Sequence, residues 1–116
     1  MKKLDDCLFC RIVAGEIPTN KAYEDDTVLA FHDINPQAPV HILIIPKQHI
    51  ACAADIDESN SAVVAHCFEV AALLAKEKGI EDDCRIVNNC GEKACQSVMH
   101  LHFHLIGGRD FTWPPG

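Results

Sequence analysis

The sequence predicts an α+β fold: an antiparallel sheet of about five strands, one long helix and one short one, in a single domain over residues 1–116. Three observations predict it. Several short segments carry the two-residue side-chain period of a strand or run apolar throughout. One long segment places apolar residues at i, i+3 and i+4 spacing. The connections between strands are short, which favours antiparallel neighbours with the helices on one side of the sheet.

The elements follow in chain order. Leu8 to Ala14 reads as a short helix stopped by Gly15, with Pro18 just beyond. Lys21 to Glu24 and Thr27 to Phe31 read as two short strands around an Asp25-Asp26 turn. Asn35-Pro36-Gln37-Ala38-Pro39 is a loop, because its two prolines exclude regular structure. Val40 to Ile45 is a strongly apolar strand ending at Pro46. Asp57 to Ser61 offers N-caps for the long helix, whose stripe is Val63, Cys67, Val70 and Leu74 with Val64, Phe68, Ala71 and Ala75. Gly79 is its C-cap. Arg85 to Asn88 is a strand, Asn89 to Ala94 a polar turn, and Val98 to Ile106 the last strand. Arg109 to Gly116 is an irregular tail containing Trp113, Pro114 and Pro115.

Composition narrows the function classes. The chain is 48% hydrophobic and 23% charged, enough to bury a core and unlike a disordered segment. No apolar run approaches the roughly 20 residues of a membrane helix. Asp5 and Asp6 follow the opening lysines at once and no apolar stretch comes after, so no signal peptide is read and a cytoplasmic protein is expected. The net charge of −7 argues against broad nucleic-acid binding but leaves room for a small phosphate ligand held by local donors. Seven cysteines in a cytoplasmic chain read as reduced thiols. Cys67 falls in the helical stripe as a small core residue, and Cys52 and Cys84 carry no motif. Cys7 and Cys10 form a Cys-x-x-Cys pair, by itself a weak zinc signal because a tetrahedral site needs four ligands.

The last strand carries the chemistry. His100, His102 and His104 alternate with Met99, Leu101, Phe103 and Leu105, which puts three imidazoles on one face and four large apolar groups on the other. A core does not need three histidines, and a solvated face would use Lys, Glu or Thr. As metal ligands, alternate strand residues stand ~6.7 Å apart at the backbone, so two can share an ion and a third is a stretch. As a nucleophile, a neutral imidazole can attack phosphorus and carry the transferred group. It then needs an acceptor that fixes its tautomer and donors for the phosphoryl charge. Asn88, Asn89, Gln96 and Ser97 precede the strand and can supply donors, or can be ordinary turn and surface residues.

These residues resemble a known family. Asn89-x-Gly91, then Gln96-Ser97-Val98-x-His100-x-His102-x-His104, is similar to the signature of the histidine triad (HIT) family of nucleotide-binding hydrolases and transferases. So are Phe31-His32-Asp33-Ile34-Asn35-Pro36-Gln37-Ala38-Pro39-x-His41 and Ile45-Pro46-Lys47-x-His49. The ending Gly107-Gly108-Arg109 with Trp113-Pro114-Pro115-Gly116 resembles the Hint branch, the purine nucleoside phosphoramidases. The resemblance runs from Cys7 to Gly116.

It implies a HIT-like fold in a homodimer that joins two five-stranded sheets into one of ten strands. It implies hydrolysis of the P–N bond of purine nucleoside 5′-phosphoramidates, or of related acyl-adenylates, through a nucleotidyl-histidine intermediate. His102 would be the nucleophile, and His104 would bind phosphate and orient it. Asn89 and Ser97 would hydrogen-bond phosphate oxygens and the leaving group, with the Gln96 backbone in the same cradle. Asp33 would bind the ribose hydroxyls, and Phe31, His32 and Ile34 would line the base pocket. Trp113 would reach toward the partner's active site or bury a dimer edge. Structural zinc would be held by Cys7, Cys10, His49 and His100, with Cys90 and Cys95 as rival ligands. Alternatives of other classes are a dinucleoside polyphosphate hydrolase or nucleotidyl transferase of another HIT branch, and a non-catalytic zinc-stabilised nucleotide-binding module.

Three histidines and one cysteine stand apart. His66 is expected on the polar side of the long helix with no specific role, His41 on the sheet surface, and His32 as structural. Cys95 stands where the family loop has Gly, a residue that lets backbone approach phosphate or take positive φ. Lys93 and Ala94 also replace smaller residues, which predicts a stiffer loop.

Overall fold

The computed structural model describes residues 6–116; Met1–Asp5, read above for a leader, lie outside the described residues. The elements are α1 (Leu8–Val13), β1 (Lys21–Glu24), β2 (Val28–His32), β3 (Val40–Pro46), α2 (Ser61–Glu77), β4 (Cys84–Val87) and β5 (Phe103–Gly107). Short 3-10 turns lie at Ala53–Asp55 and Glu92–Ala94. One five-stranded sheet has the order β1-β2-β3-β5-β4, and every pairing is antiparallel. This is the α+β architecture the pattern predicts.

The apolar runs in β2 and β3 are explained by burial on both faces. Val28, Ala30, Ile42 and Ile44 join Cys67, Val70, Ala71 and Leu74 of α2 in one core. Leu29, Phe31, Leu43 and Ile45 join Phe9 and Ile12 of α1 in a second. The expectation of helices on one side of the sheet is therefore corrected: α1 and α2 cover opposite faces. A strand that is apolar at every position has no solvent face, so each side needs a cover. Each fully buried Leu or Ile contributes roughly 1.5–3 kcal/mol of transfer free energy.

Helix α2 ends as Gly79 predicts. Gly79 has φ +71, Gly79 N–H donates to the Lys76 carbonyl at 3.2 Å, and Ile80 N–H donates to the Ala75 carbonyl at 2.8 Å. That pair of bonds is a Schellman motif, and the left-handed residue in it favours glycine.

The histidine segment departs from its expected span of Val98 to Ile106, because β5 begins only at Phe103. The register pairs Ile44 with Phe103, so Pro46 would fall opposite Leu101. Pro46 has no N–H to give. Its carbonyl accepts from His100 Nε2 at 2.8 Å, and Leu101 N–H turns to the Ile50 carbonyl at 2.6 Å. The alternation of faces survives: Leu101, Phe103 and Leu105 lie in the α2-side core. Met99 is 52% exposed and does not join them.

Candidate functional site

The site forms on the α1 side of the sheet, where His102 and His104 meet residues from β3 and the loops. His102 is 4% exposed, and the Phe9 ring packs edge-on against it with centroids 5.2 Å apart. Its backbone is fixed by Asn88, whose Nδ2 donates to the His102 carbonyl at 3.0 Å. His102 Nδ1 lies 2.7 Å from the His100 carbonyl. A carbonyl only accepts, so Nδ1 carries the hydrogen and Nε2 keeps its lone pair. The imidazole is set as a nucleophile or base through Nε2.

A second histidine sets His104. Gln37 N–H donates to His41 Nδ1 at 3.0 Å, so His41 carries its hydrogen on Nε2. That hydrogen faces His104 Nδ1 at 2.8 Å, with Asp33 Oδ2 also near at 3.4 Å. His104 therefore accepts at Nδ1 and is a donor at Nε2. The His102 and His104 rings stand 5.1 Å apart. Burial, then the neighbouring His102 and His41, push His104 down to about 4, with Asp33 opposing. Burial lowers His41 as well, again against Asp33. Both rings are neutral at neutral pH. His41, expected on the sheet surface, is instead 6% exposed and part of the site. Its alternation with Val40 and Ile42 gave its face but not what covers that face.

A cleft of about 210 Å³ opens here, lined by Gln37, His41, Val87, Asn89, His104 and Ile106. It brings Asn89 and His104 together. Gln37 lies within the Phe31 to His41 segment that carries the family resemblance but has no role assigned there, and Val87 and Ile106 read only as strand residues. Ser97 is exposed and lines a different opening of about 540 Å³ with Asp6, Leu8, His49 and Met99 among its neighbours. The Gln96 side chain is buried and structural. Its Oε1 accepts from Gly91 N–H at 2.8 Å, and its Nε2 donates to the carbonyls of Ala51 at 2.8 Å and Val98 at 3.1 Å. Cys95 has φ 69 and ψ 29, the left-handed conformation. Among the described residues it is the one non-glycine with positive φ. The position noted above as a glycine site thus keeps the glycine backbone with a cysteine on it.

The base-pocket candidates lie at and just beyond the end of β2. Phe31 is 4% exposed with its ring against Phe9, His32 and Asp33 are half-buried, and Ile34 is 99% exposed. Asp33 Oδ1 accepts from Asn35 N–H at 2.7 Å, so one carboxylate oxygen shapes the loop. Trp113 is 82% exposed and lines neither cleft. Its tail is tied to β4, since Arg85 donates to the Thr112 carbonyl and both Arg85 and Arg109 lie over the Phe111 ring.

Cys7, Cys10, His49 and His100 converge beside the histidine face, with ligand atoms all within 4.8 Å of one another. His100 Nδ1 is 3.4 Å from Cys7 Sγ and 3.5 Å from Cys10 Sγ, and His49 Nδ1 is 3.2 Å from Cys10 Sγ. Tetrahedral zinc with S at ~2.3 Å and N at ~2.05 Å puts S and N about 3.6 Å apart. The donor set fits. His100 is fully buried, and its Nε2–H donates to the Pro46 carbonyl, which leaves Nδ1 as the ligand atom. Burial pushes His100 down to about 4 and so favours the neutral, ligating form. The rival thiols Cys90 and Cys95 are exposed and outside this cluster.

His66, expected to have no specific role, bridges two elements. Its Nε2 meets Asp25 Oδ2 at 2.6 Å and its Nδ1 meets Glu69 Oε1 at 2.8 Å.

Comparison with known proteins places this geometry. A family profile described as "HIT domain" matches residues 14–111. The chain is 48% identical over 120 residues to the "14 kDa zinc-binding protein" of Zea mays, covering 100% of this chain and 94% of that protein. It is 46% identical over 111 residues to "Adenylylsulfatase HINT1" of Arabidopsis thaliana, covering 94% of this chain and 76% of that protein. The crystal structure of a HIT family hydrolase from Legionella pneumophila Philadelphia 1 superposes with a TM-score of 0.93 at 47% identity, over 96% of this chain and 100% of that one.

Proposed function

The chain belongs to the HIT domain family, and from that premise we propose that it is a nucleotide-binding hydrolase that cleaves the P–N bond of purine nucleoside 5′-phosphoramidates. The observation that carries the reading is the His102 tautomer, with Nδ1–H held by the His100 carbonyl at 2.7 Å and the Nε2 lone pair available. His102 Nε2 attacks the α-phosphorus, the P–N bond breaks, and the nitrogen leaves with its electron pair and takes up a proton. Water then attacks the phosphorus of nucleotidyl-His102, the N–P bond breaks, and the nucleoside monophosphate leaves.

The other residues bind and orient. His104 donates from Nε2 to a phosphate oxygen, in an orientation set by His41. Asn89 and Ser97 hold phosphate oxygens and the leaving group, while the Gln96 backbone completes the cradle. Asp33 accepts from the ribose diol. Phe31, His32 and Ile34 surround the base, and Trp113 acts at the partner's site of a homodimer. Cys7, Cys10, His49 and His100 hold zinc, whose closed set of four protein ligands supplies a rigid crosslink. The whole of residues 1–116 acts as one domain in the cytoplasm; among the described residues no helix is long and apolar enough to cross a membrane.

The test is release of AMP from adenosine 5′-phosphoramidate, with acid trapping of the nucleotidyl-protein. His102→Ala should lose the trapped species and at least about 10³-fold in kcat. An active His102→Ala protein overturns the nucleophile. A second reading draws on the Arabidopsis relative's name: adenylyl sulfate presents the same α-phosphorus to His102. Competing substrates in one assay, dinucleoside polyphosphates included, rank the classes. Nucleotide binding with no turnover of any of them leaves a zinc-stabilised binding module.

A further inference from the structure

Arg109 joins the C-terminal tail to the histidine cleft. β5 ends at Gly107, opposite Val40. Gly108 then turns the chain with φ +89, and a Cβ at that position would stand 3.2 Å from the Pro39 Cβ. The turn brings Arg109 to the loop between β2 and β3. Arg109 Nε donates to the Gln37 carbonyl at 2.9 Å, and its Nη1 donates to the Asp110 carbonyl at 3.0 Å. Its guanidinium lies over the Phe111 ring, 4.3 Å from the centroid. Arg85 of β4 lies 4.9 Å from the same centroid and donates to the Thr112 carbonyl. Two bonds and a stacked ring thus fix the Arg109 guanidinium in place.

Gln37 begins a relay into the site. Pro36 and Pro39 have no N–H, so Gln37 and Ala38 are the two backbone donors of residues 36–39. Gln37 N–H donates to His41 Nδ1 at 3.0 Å, and His41 Nε2–H donates to His104 Nδ1 at 2.8 Å. Residues 34–37 are exposed, and the bonds from Asn35 N–H to Asp33 Oδ1 and from Gln37 Nε2 to the Asn35 carbonyl stay within the loop. Arg109 holds Gln37 from outside it.

We propose that Arg109 is a positioning residue for His104: by holding Gln37 it keeps His41 in the tautomer that donates to His104 Nδ1, and so keeps the His104 hydrogen on Nε2. If Gln37 moves away, His41 Nδ1 loses its donor. Its hydrogen can then sit on Nδ1, its Nε2 becomes an acceptor, and His104 can carry its own hydrogen on Nδ1. The phosphate donor at Nε2 is lost in that form. The effect on turnover rests on the function proposed above; the tautomers do not.

The test records long-range 1H–15N correlations of the histidine rings in the full chain without substrate. In the wild type, His41 and His104 should each show the hydrogen on Nε2. Arg109→Met keeps an aliphatic stem without a donor and should shift both rings toward mixed or Nδ1–H tautomers. Arg109→Lys keeps a donor for the Gln37 carbonyl and should recover the wild-type pattern. Phe111→Leu removes the ring under both guanidiniums and should shift both rings as Arg109→Met does, to a smaller extent. With adenosine 5′-phosphoramidate, kcat of Arg109→Met should fall at least about tenfold with KM within about threefold. Wild-type tautomers in Arg109→Met, or in Phe111→Leu should Arg109→Met not fold, overturn the proposal. So do a wild-type ring with its hydrogen on Nδ1, an Arg109→Lys protein no better than Arg109→Met, and shifted tautomers that leave kcat unchanged. A wild type that turns over no phosphoramidate sinks the function proposed above, and the tautomers alone then decide whether Arg109 positions His104.

Discussion

At the scale of single residues, Cys95 is the position where side chain and backbone disagree. Its left-handed backbone costs a residue with a Cβ roughly 1–2 kcal/mol, and glycine avoids that cost. Cys95→Gly should therefore stabilise the protein by up to about 1 kcal/mol, less what glycine adds to the entropy of the unfolded chain. Urea unfolding measures it, and a clear loss of stability would show that the cysteine side chain makes up the strain elsewhere. His66 gives a pH prediction. Its bonds to Asp25, and then to Glu69, raise its pKa above the ordinary 6.5. The folded state holds the proton more tightly than the unfolded chain. The resulting stability is complete below about pH 6.5 and is lost as pH rises through the raised value. The gap in Tm between the wild type and His66→Gln should be wider at about pH 6 than at about pH 9. A gap independent of pH would mean that the imidazole acts through packing alone.

At the scale of elements, residues 98–102 have no ladder to hold them. The contacts that replace it are the Leu101 bond to Ile50, the Asn88 bond to His102, and the anchoring of His100 by Pro46 and the two thiols. The Cys/His cluster and His102, the proposed nucleophile, are therefore linked through His100: its side chain sits in the cluster while its carbonyl sets the His102 tautomer. Removing zinc with a chelator should lower Tm and speed amide hydrogen exchange most in residues 98–102, with β2 and β3 least affected. Uniform loss of protection across the sheet would instead assign the metal to global folding. The sequence pattern conveyed the alternation of this segment correctly. It could not convey where hydrogen bonding stops, because that depends on a proline in the neighbouring strand.

At the scale of the whole molecule, the strand order leaves β1 and β4 as edges. Beside β4 lies an apolar groove lined by Phe68, Ala72, Ala75, Ile86 and Leu105, and Phe68, Leu73 and Ile86 are 45%, 50% and 41% exposed. An edge strand with an apolar border is a pairing site. The proposed homodimer uses this edge, so Ile86→Arg should shift the protein from dimer to monomer in analytical ultracentrifugation. A dimer unchanged by that substitution would place the interface elsewhere.

Periodicity and residue chemistry, which are local properties, were enough to read the element types, the apolar faces and the three alternating histidines; the set Cys7, Cys10, His49 and His100 came from the resemblance to a family, since the Cys-x-x-Cys pair by itself is a weak signal. The tertiary structure was needed to show that α1 and α2 lie on opposite faces and that His41 is buried against His104. The reason is one of reach. A two-residue period tells which side chains share a face, not which distant element covers that face. His41 and His104 are 63 residues apart in the chain, and their contact exists only because β3 and β5 pair in one register.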